Sequence, residues 1–404
     1  MTARPVFVLA LIACDGNATG NLAAPPGGDT SHPARRGSPV DDLVGPCGPG
    51  SRTDAGSVVR REPYLQDVTP RSAMIGWVTT DGAGEHVRVT SIDGATVAVV
   101  PAVIQRGETR SDDETQVWAR LSGLEPSTVY CYAVERGAVA LTERTGFRTA
   151  PLASSAGPVR FMAFGDSGSG DDDQRALRDR MFDMPYDLVL HTGDIAYDSG
   201  TIDQYEDHVF AVYARLLRNV PMFPIAGNHD YKSDDGQAFR DVFALPDDAE
   251  RFYSFDWGRV HFVGLDTEAD YGLQAAWLAA DLAATRLPWR IVYMHHPMYS
   301  SGAHGSDLAL RALLAPVFAR GGVQLVLAGH DHDYERMHPQ NGVAYVVTGG
   351  GGRRTRAVDR SEFTAFAASV IHFVYVEVGA DQLVLHAIDG AGVEFDSMVV
   401  PRTR

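Results

Sequence analysis

Basic residues are scarce beside acidic ones. Lys plus Arg number 35 against 52 Asp plus Glu, a formal net charge of −17. Nucleic-acid binding needs a basic face that displaces phosphate counterions, so this balance excludes a nucleic-acid partner. It leaves open an enzyme acting on a small anion, because bound metal ions can supply positive charge locally. Long apolar runs are also missing. None approaches the roughly 18 residues of a spanning helix. Cysteine is limited to Cys14, Cys47 and Cys131. What is abundant is ordinary: 45% hydrophobic and 22% charged residues over 404 positions, the composition of a folded chain of about two to three domains.

The first segment reads as a processed end. Arg4 precedes the apolar residues 6–13, and Leu11-Ile12-Ala13-Cys14 resembles a bacterial lipobox, so residues 1–14 form a signal segment whose Cys14 becomes lipidated. The expected location is outside the bacterial cell, as an envelope lipoprotein or a secreted protein, with membrane contact only through that anchor. Cys47 and Cys131 remain; they either pair in an oxidising compartment or stay independent thiols. Residues 15–57 hold nine Gly and six Pro and no Phe, Trp or Tyr, which predicts a flexible linker.

Residues 58–150 carry short β candidates at 74–78, 86–89, 96–100, 115–118 and 128–132, separated by Gly, Pro and Asp. Leu124-Glu125-Pro126-Ser127-Thr128-Val129-Tyr130 resembles a tyrosine corner, so the segment is expected to be an all-β sandwich like fibronectin type III. Residues 156–404 alternate strands and helices. Strands are predicted at 159–164, 187–190, 260–265, 289–294, 323–327 and 343–347, with helices at 172–182, 202–217, 272–284 and 307–318. That is an α/β layered domain. Runs at 372–376 and 383–387 predict an antiparallel finish.

Five polar clusters lie at or just beyond the ends of these strands, where α/β sheets place ligands. They are Gly165-Asp166-Ser167-Gly168, Gly193-Asp194-Ile195-Ala196-Tyr197, Gly227-Asn228-His229-Asp230, Val292-Tyr293-Met294-His295 and Gly329-His330-Asp331-His332. Each offers a carboxylate, phenolate, amide or imidazole capable of coordinating a metal. Singly each is weak, since Gly-Asp after a strand is usually a turn. Together, in one order in one domain, they point to convergence on one site. The Gly before Asp166, Asp194, Asn228 and His330 is expected to let the chain turn sharply. Asp171-Asp172-Asp173 reads as the acidic first turn of a helix. Gly349–Gly352 lacks the Lys-Ser/Thr of a P-loop and is expected to pass close to the metal centre. Arg353 and Arg354 either face substrate anions or, as the more ordinary reading, lie in a solvated loop, and His191 reads as a hydrogen-bonded core residue.

This set resembles the five-block signature of the purple acid phosphatases within the metallophosphoesterase superfamily. Arg61-Glu62-Pro63-Tyr64-Leu65-Gln66 and Gly146-Phe147-Arg148-Thr149-Ala150-Pro151 look like the two ends of that family's N-terminal domain. The resemblance implies a metallophosphoesterase β-sandwich core flanked by helices. It implies Asp166, Tyr197 and His332 as ligands of a first metal, Asn228, His295 and His330 as ligands of a second, and Asp194 as the bridge. The first set holds hard anions and suits Fe³⁺; the second suits a divalent ion such as Fe²⁺, Zn²⁺ or Mn²⁺. Related divalent enzymes carry His two residues after the first Asp, whereas this chain has Gly168 there and offers Tyr197. His295 rather than His296 matches the block, three residues after Val292. His229 and His304 resemble outer histidines that bind phosphate and protonate the leaving group, and Asp230 is expected to orient the His229 imidazole.

The implied activity is cleavage of a small phosphate monoester by metal-activated hydroxide at acidic pH, that is, an acid phosphatase. A phosphodiesterase, nucleotidase or alkaline phosphatase on the same scaffold is the alternative. An inactive exported binding module is the rival from another class.

Overall fold

Alternating burial builds the first strands. Val117, Ala119 and Leu121 point inward from Thr115–Ser122 while Arg120 and Ser122 face out, and Val87 and Val89 do the same in Glu85–Thr90. The computed structural model describes residues 37–48, 58–105 and 107–402. The signal segment expected at 1–14 and most of the expected linker lie outside the described residues.

The N-terminal strands form two antiparallel sheets. One runs Val59–Gln66, Ser72–Thr79, Thr115–Ser122, Val103–Gln105; the other runs Thr96–Pro101, Glu85–Thr90, Val129–Arg136, Val139–Ala140, with Thr145–Arg148 also on Val129–Arg136. Trp77, Val87, Val117, Tyr132 and Phe147 are buried in their core. The Tyr130 hydroxyl accepts the Glu125 backbone N–H at 2.9 Å, the bond a tyrosine corner requires.

Residues 37–48 correct the expectation of a tether over the whole of 15–57. Short helical turns at Asp41–Val44 and Gly45–Cys47 bury Val40 and Leu43, and Cys47 is disulfide-bonded to Cys131. Composition misled because two apolar side chains and one Cys suffice to dock a Gly/Pro-rich segment on an existing core. Of the two readings of the thiols, pairing is the one the structure adopts.

The C-terminal part stacks two sheets. The first has the order Met222–Pro224, Leu188–His191, Val159–Phe164, His372–Val378, Gln382–Asp389, Glu394–Pro401; its first three strands are parallel and the rest antiparallel. The second runs Tyr253–Trp257, Val260–Gly264, Trp289–Met294, Leu325–Ala328, Ala344–Thr348, Tyr334–Met337, Thr364–Ala368. They meet through Phe161 on Phe262, rings 5.3 Å apart, and Phe223 stacked on Phe255 at 3.8 Å. Helices Asp172–Met181, Tyr271–Ala284 and Leu308–Gly321 each bury one stripe, such as Leu310, Leu314 and Phe318. The single helix predicted over 202–217 is three pieces: Ile202–Tyr205, a π-helical Glu206–Phe210, and Ala211–Leu217. The sequence reading missed Tyr334–Met337, because its buried Glu335 looks like a surface residue until its partners Ser301 and Thr364 are seen.

The two parts share polar seams. The Arg61 guanidinium binds Glu206 at 2.9 Å, the Tyr64 hydroxyl donates to the Val242 carbonyl at 2.6 Å, and the Tyr132 hydroxyl donates to the Arg218 carbonyl at 2.7 Å. Parallel strands from both C-terminal sheets end on one side, and the five polar clusters follow those ends.

Candidate metal centre

Seven side chains arrive from five loops. Asp166 follows Val159–Phe164, Asp194 and Tyr197 follow Leu188–His191, Asn228 follows Met222–Pro224, His295 follows Trp289–Met294, and His330 and His332 follow Leu325–Ala328. They gather in two adjoining nests. In the first, the Tyr197 hydroxyl lies 3.0 Å from Asp166 Oδ1, 2.9 Å from Asp194 Oδ2 and 3.1 Å from His332 Nε2. In the second, His295 Nε2 lies 3.1 Å from Asn228 Oδ1, 3.4 Å from Asp194 Oδ1 and 3.3 Å from His330 Nδ1. Asp194 therefore puts one oxygen into each nest. All seven residues expected as ligands come together, in the expected two groups of three plus the shared carboxylate.

The imidazoles are held with a lone pair inward. Nδ1 of His295 faces the Thr192 carbonyl at 2.9 Å, and Nδ1 of His332 faces the Arg354 carbonyl at 3.0 Å. A carbonyl only accepts, so each Nδ1 carries the proton and each Nε2 is free to coordinate. The remaining carboxylate capacity is steadied by backbone. His330 N–H donates to Asp166 Oδ2 at 2.8 Å and His229 N–H to Asp194 Oδ1 at 2.7 Å.

Three of the ligands also carry backbone strain. Asp166, Asp194 and His330 have φ of 58°, 52° and 71°, a left-handed conformation that costs a non-Gly residue of order 1 kcal/mol or more. The preceding glycines have two different reasons. Gly193 sits at φ 92°, a true turn, whereas at Gly165, Gly227 and Gly329 the dihedral is ordinary and a Cβ would collide with Thr192, Asp194 or Asp166. Gly168 is more restrictive still: a Cβ there would lie 1.8 Å from the Ile195 carbonyl oxygen. No His fits at that position in this backbone, and Tyr197, whose N–H donates to the Gly168 carbonyl at 2.8 Å, fills the nest instead. Gly349 leaves room for Asp166 and Asp331 in the same way, as the expected close passage requires.

Electrostatics demand outside charge. Asp166 is fully buried, and burial followed by the neighbouring Asp194 carboxylate pushes its pKa up to about 8, with His295 pulling the other way. His295 is driven up to about 10 although burial opposes it, because Asp194 and Asp166 demand a cation. Burial, then Asp166 and Asp194, raises the Tyr197 phenol well above its ordinary value. His332 is lowered to about 4, first by burial and then by Arg356. Two buried carboxylates, a phenol and imidazoles around shared points form a donor set suited to cations.

His229 and His304 stand on opposite flanks. The His229 ring lies 4.5 Å from the Tyr197 ring, with Nε2 4.0 Å from Asp194 Oδ2. The exposed His304 ring lies 4.2 Å from the His330 ring. His296 lies outside the seven, beside His330 and 3.1 Å from Glu268.

Asp230 does not orient His229, contrary to expectation. Its buried carboxylate accepts Ile195 N–H at 3.1 Å, Ala196 N–H at 3.2 Å, Gly227 N–H at 2.8 Å and the Tyr205 hydroxyl at 2.7 Å. It ties the Asp194 loop to the Asn228 loop, while His229 Nδ1 faces the Asp198 carbonyl at 2.7 Å. The tight turn at Asp230 buries the side chain away from its sequence neighbour. His191 is a bonded core residue, 2.8 Å from Ser167 Oγ. Asp171 caps its helix by accepting Gln174 N–H at 3.1 Å.

Sequence reasoning gave no role at the centre to His208, Arg356 or Lys232, and read Arg353 chiefly as solvated. His208 Nδ1 lies 3.0 Å from the carbonyls of Gly168 and Tyr197 and steadies both loops. Arg353 binds Asp198 at 2.6 Å and lies 4.7 Å over the Tyr197 ring, so it is engaged rather than merely solvated. Arg356 touches His304, and Lys232 Nζ lies 2.8 Å from His229 Nδ1. Of these, only Lys232 carried a sequence signal: it is the single lysine among 404 residues.

Comparison with known proteins agrees with this geometry. Residues 159–334 match the calcineurin-like phosphoesterase family, and residues 62–149 match the purple acid phosphatase N-terminal domain. An uncharacterized protein of Mycobacterium tuberculosis is 30% identical over 355 residues, covering 74% of this chain and 65% of its own length. Purple acid phosphatase 23 of Arabidopsis thaliana is 29% identical over 282 residues, covering 57% of this chain and 61% of its own. The chain thus spans slightly under two thirds of these relatives. The structure of purple acid phosphatase PPD1 from yellow lupin superposes with a TM-score of 0.75 at 20% identity, covering 84% of this chain and 74% of that one.

Proposed function

Because this chain belongs to the purple acid phosphatase family of calcineurin-like phosphoesterases, we propose that it is a binuclear metal hydrolase that cleaves small phosphate monoesters at acidic pH. The observation that carries the reading is Asp194, with one oxygen in each nest. Asp166, Tyr197, His332 and Asp194 would hold a ferric ion; Asn228, His295, His330 and Asp194 would hold a divalent one such as Fe²⁺, Zn²⁺ or Mn²⁺. When bound, such a pair supplies an activated water and Lewis acidity toward phosphate oxygens.

The chain's own residues do the rest. Thr192 and Arg354 carbonyls fix the inward nitrogens of His295 and His332. His229, steadied at Nδ1 by the Asp198 carbonyl, turns Nε2 toward the nests and can hold the proton that a departing alkoxide needs. His304 offers a second donor from the other flank. The sandwich, fibronectin III-like in its tyrosine corner, serves as a scaffold. The lipobox-like residues 11–14 and the Cys47–Cys131 bridge support export to an oxidising compartment.

Metal counting with a visible spectrum tests the proposal. Two metals per chain and a phenolate-to-iron absorption band are expected, and Tyr197→Phe should abolish the band. A single metal, or a colourless protein holding two divalent ions, would sink the ferric assignment. The ratio of monoester to diester turnover, measured across pH, decides between the phosphatase and its diesterase alternative.

A further inference from the structure

A π turn interrupts the helix that follows the Asp194 loop. Ile202–Tyr205 and Ala211–Leu217 are α-helical, and between them Glu206–Phe210 widens, closed by the Ala211 N–H on the Glu206 carbonyl five residues back. Such turns are rare and recur at functional sites. Residues 206–210 contain neither Pro nor Gly, so no local helix breaker accounts for this one.

What the turn places is His208. Its neighbours Val209 and Phe210 are buried, while its own Nδ1 lies 3.0 Å from the Gly168 carbonyl and 3.0 Å from the Tyr197 carbonyl. Both carbonyls only accept, so Nδ1 carries the proton and bridges them. The Gly168 carbonyl also accepts the Tyr197 N–H at 2.8 Å. The Tyr197 backbone is therefore pinned at its N–H and at its C=O. His208 is itself held: the fully buried Gln174 donates from Nε2 to the His208 carbonyl at 2.8 Å and accepts the Gly170 N–H at 2.6 Å. Gly170, at φ 68°, leaves room for the ring, since a Cβ there would lie 2.6 Å from His208 Cδ2.

This closed circuit matters because of what hangs from it. The Tyr197 hydroxyl must reach Asp166, Asp194 and His332 together, at 3.0, 2.9 and 3.1 Å. It sits at the far end of a long side chain, where a small tilt of the backbone is magnified. A displacement of about 1 Å in such a constellation can cost on the order of a hundredfold in rate.

We propose that the π turn exists to present His208 as a positioning residue, one that fixes the Tyr197 backbone and so sets where the phenol oxygen stands between Asp166, Asp194 and His332. The inference rests on the hydrolase reading above for what Tyr197 binds. His208 acts through the backbone of two loops and offers nothing to the ions themselves.

The test pairs two substitutions of similar size. His208→Asn keeps an N–H donor near the place of Nδ1, and His208→Leu removes it; both leave Val209 and Phe210 in the core. In ferric-loaded protein, the phenolate-to-iron band should stay at its wild-type position with Asn and should shift or weaken with Leu. Affinity for the first ion, measured by competition with a chelator, should fall about tenfold or more with Leu and stay within about threefold of wild type with Asn. The fall in kcat should follow the same order, with KM nearly unchanged. A wild-type band and affinity in the Leu variant would overturn the proposal. So would equal losses in both variants, the mark of a residue that only fills space. If circular dichroism finds the Leu variant unfolded, His208→Ala takes its place in the comparison. A wild-type protein that binds Zn²⁺ and shows no phenolate band with iron would defeat the ferric reading instead, and the same chelator competition run with Zn²⁺ would still decide the role of His208.

Discussion

The sandwich and the C-terminal layers both bury charge, but only one of them balances it. In the sandwich, Glu85 accepts from Trp77 Nε1 at 2.7 Å, Thr79 Oγ1 at 2.8 Å and Arg136 at 2.7 Å. Arg61 satisfies Glu206 and Gln116 Oε1, the latter at 2.6 Å, and lies 3.9 Å over the Phe210 ring. Every buried charge there has its opposite or a full set of donors within the chain. Around the strand ends of the C-terminal layers, Asp166 and Asp194 face each other's field with only the imidazoles of His295 and His229 acting against it, and no Lys or Arg. Internal balance marks a group kept for stability. A buried surplus of one sign marks a place that awaits something from outside.

The sharpest way to break this contrast is to remove the shared carboxylate. Asp194→Ala takes one ligand from each nest at once. Phosphomonoester turnover should fall on the order of a thousandfold or more, about 4 kcal/mol of barrier, with loss of both metals by elemental analysis. Yet the fold should survive, because the deletion relieves the crowding on Asp166. Two metals still bound at wild-type stoichiometry would show that Asp194 is no bridge. The reverse experiment belongs to the sandwich. Arg61→Ala removes the buried guanidinium and leaves the part-buried Glu206 without that cation, and should cost about 2–4 kcal/mol of unfolding free energy, read by denaturant titration. Metal content should not change. Metal loss with unchanged stability would mean that the two regions are not divided as argued.

How far each region could be read from the sequence follows the same division. Strands such as Ser72–Thr79 and Trp289–Met294 announce themselves by short apolar runs, and the seven ligands by hard or nitrogenous donors just after such strands. Such signals are local, so a single chain displays them. Partnership across distant segments is not local. Asp230 binds Ile195 and Tyr205 rather than its neighbour His229, and nothing in the order of residues tells the two outcomes apart. Residues 37–48 hold the composition of a tether and the contacts of a docked segment. Arg356 looks like any basic loop residue until the fold brings it to His304. Glu335 hides its strand for the same reason.

The smallest effect comes from a group that sits between the two cases. His261, on Val260–Gly264, belongs to the C-terminal layers but is balanced like the sandwich, indeed over-balanced. Its Nδ1 lies 2.7 Å from Asp256 on the paired strand and its Nε2 2.7 Å from Asp281 on Tyr271–Ala284. Burial works against its charge, but the two carboxylates prevail and lift its pKa to about 9 from an ordinary 6.5. A base with a raised folded-state pKa gives its full stabilisation below the unfolded value and loses it as pH climbs through the folded one. The contribution, about 1–3 kcal/mol, should be intact at pH 6 and fade between pH 6.5 and 9. Thermal unfolding of wild type and His261→Gln across that window should give curves that are furthest apart at the acid end and converge toward pH 9. A constant gap would mean that the imidazole acts through packing alone. Convergence would show that a buried histidine in these layers can be held by internal acids, which leaves the unmatched carboxylates of the metal centre as the exception that needs ions from solution.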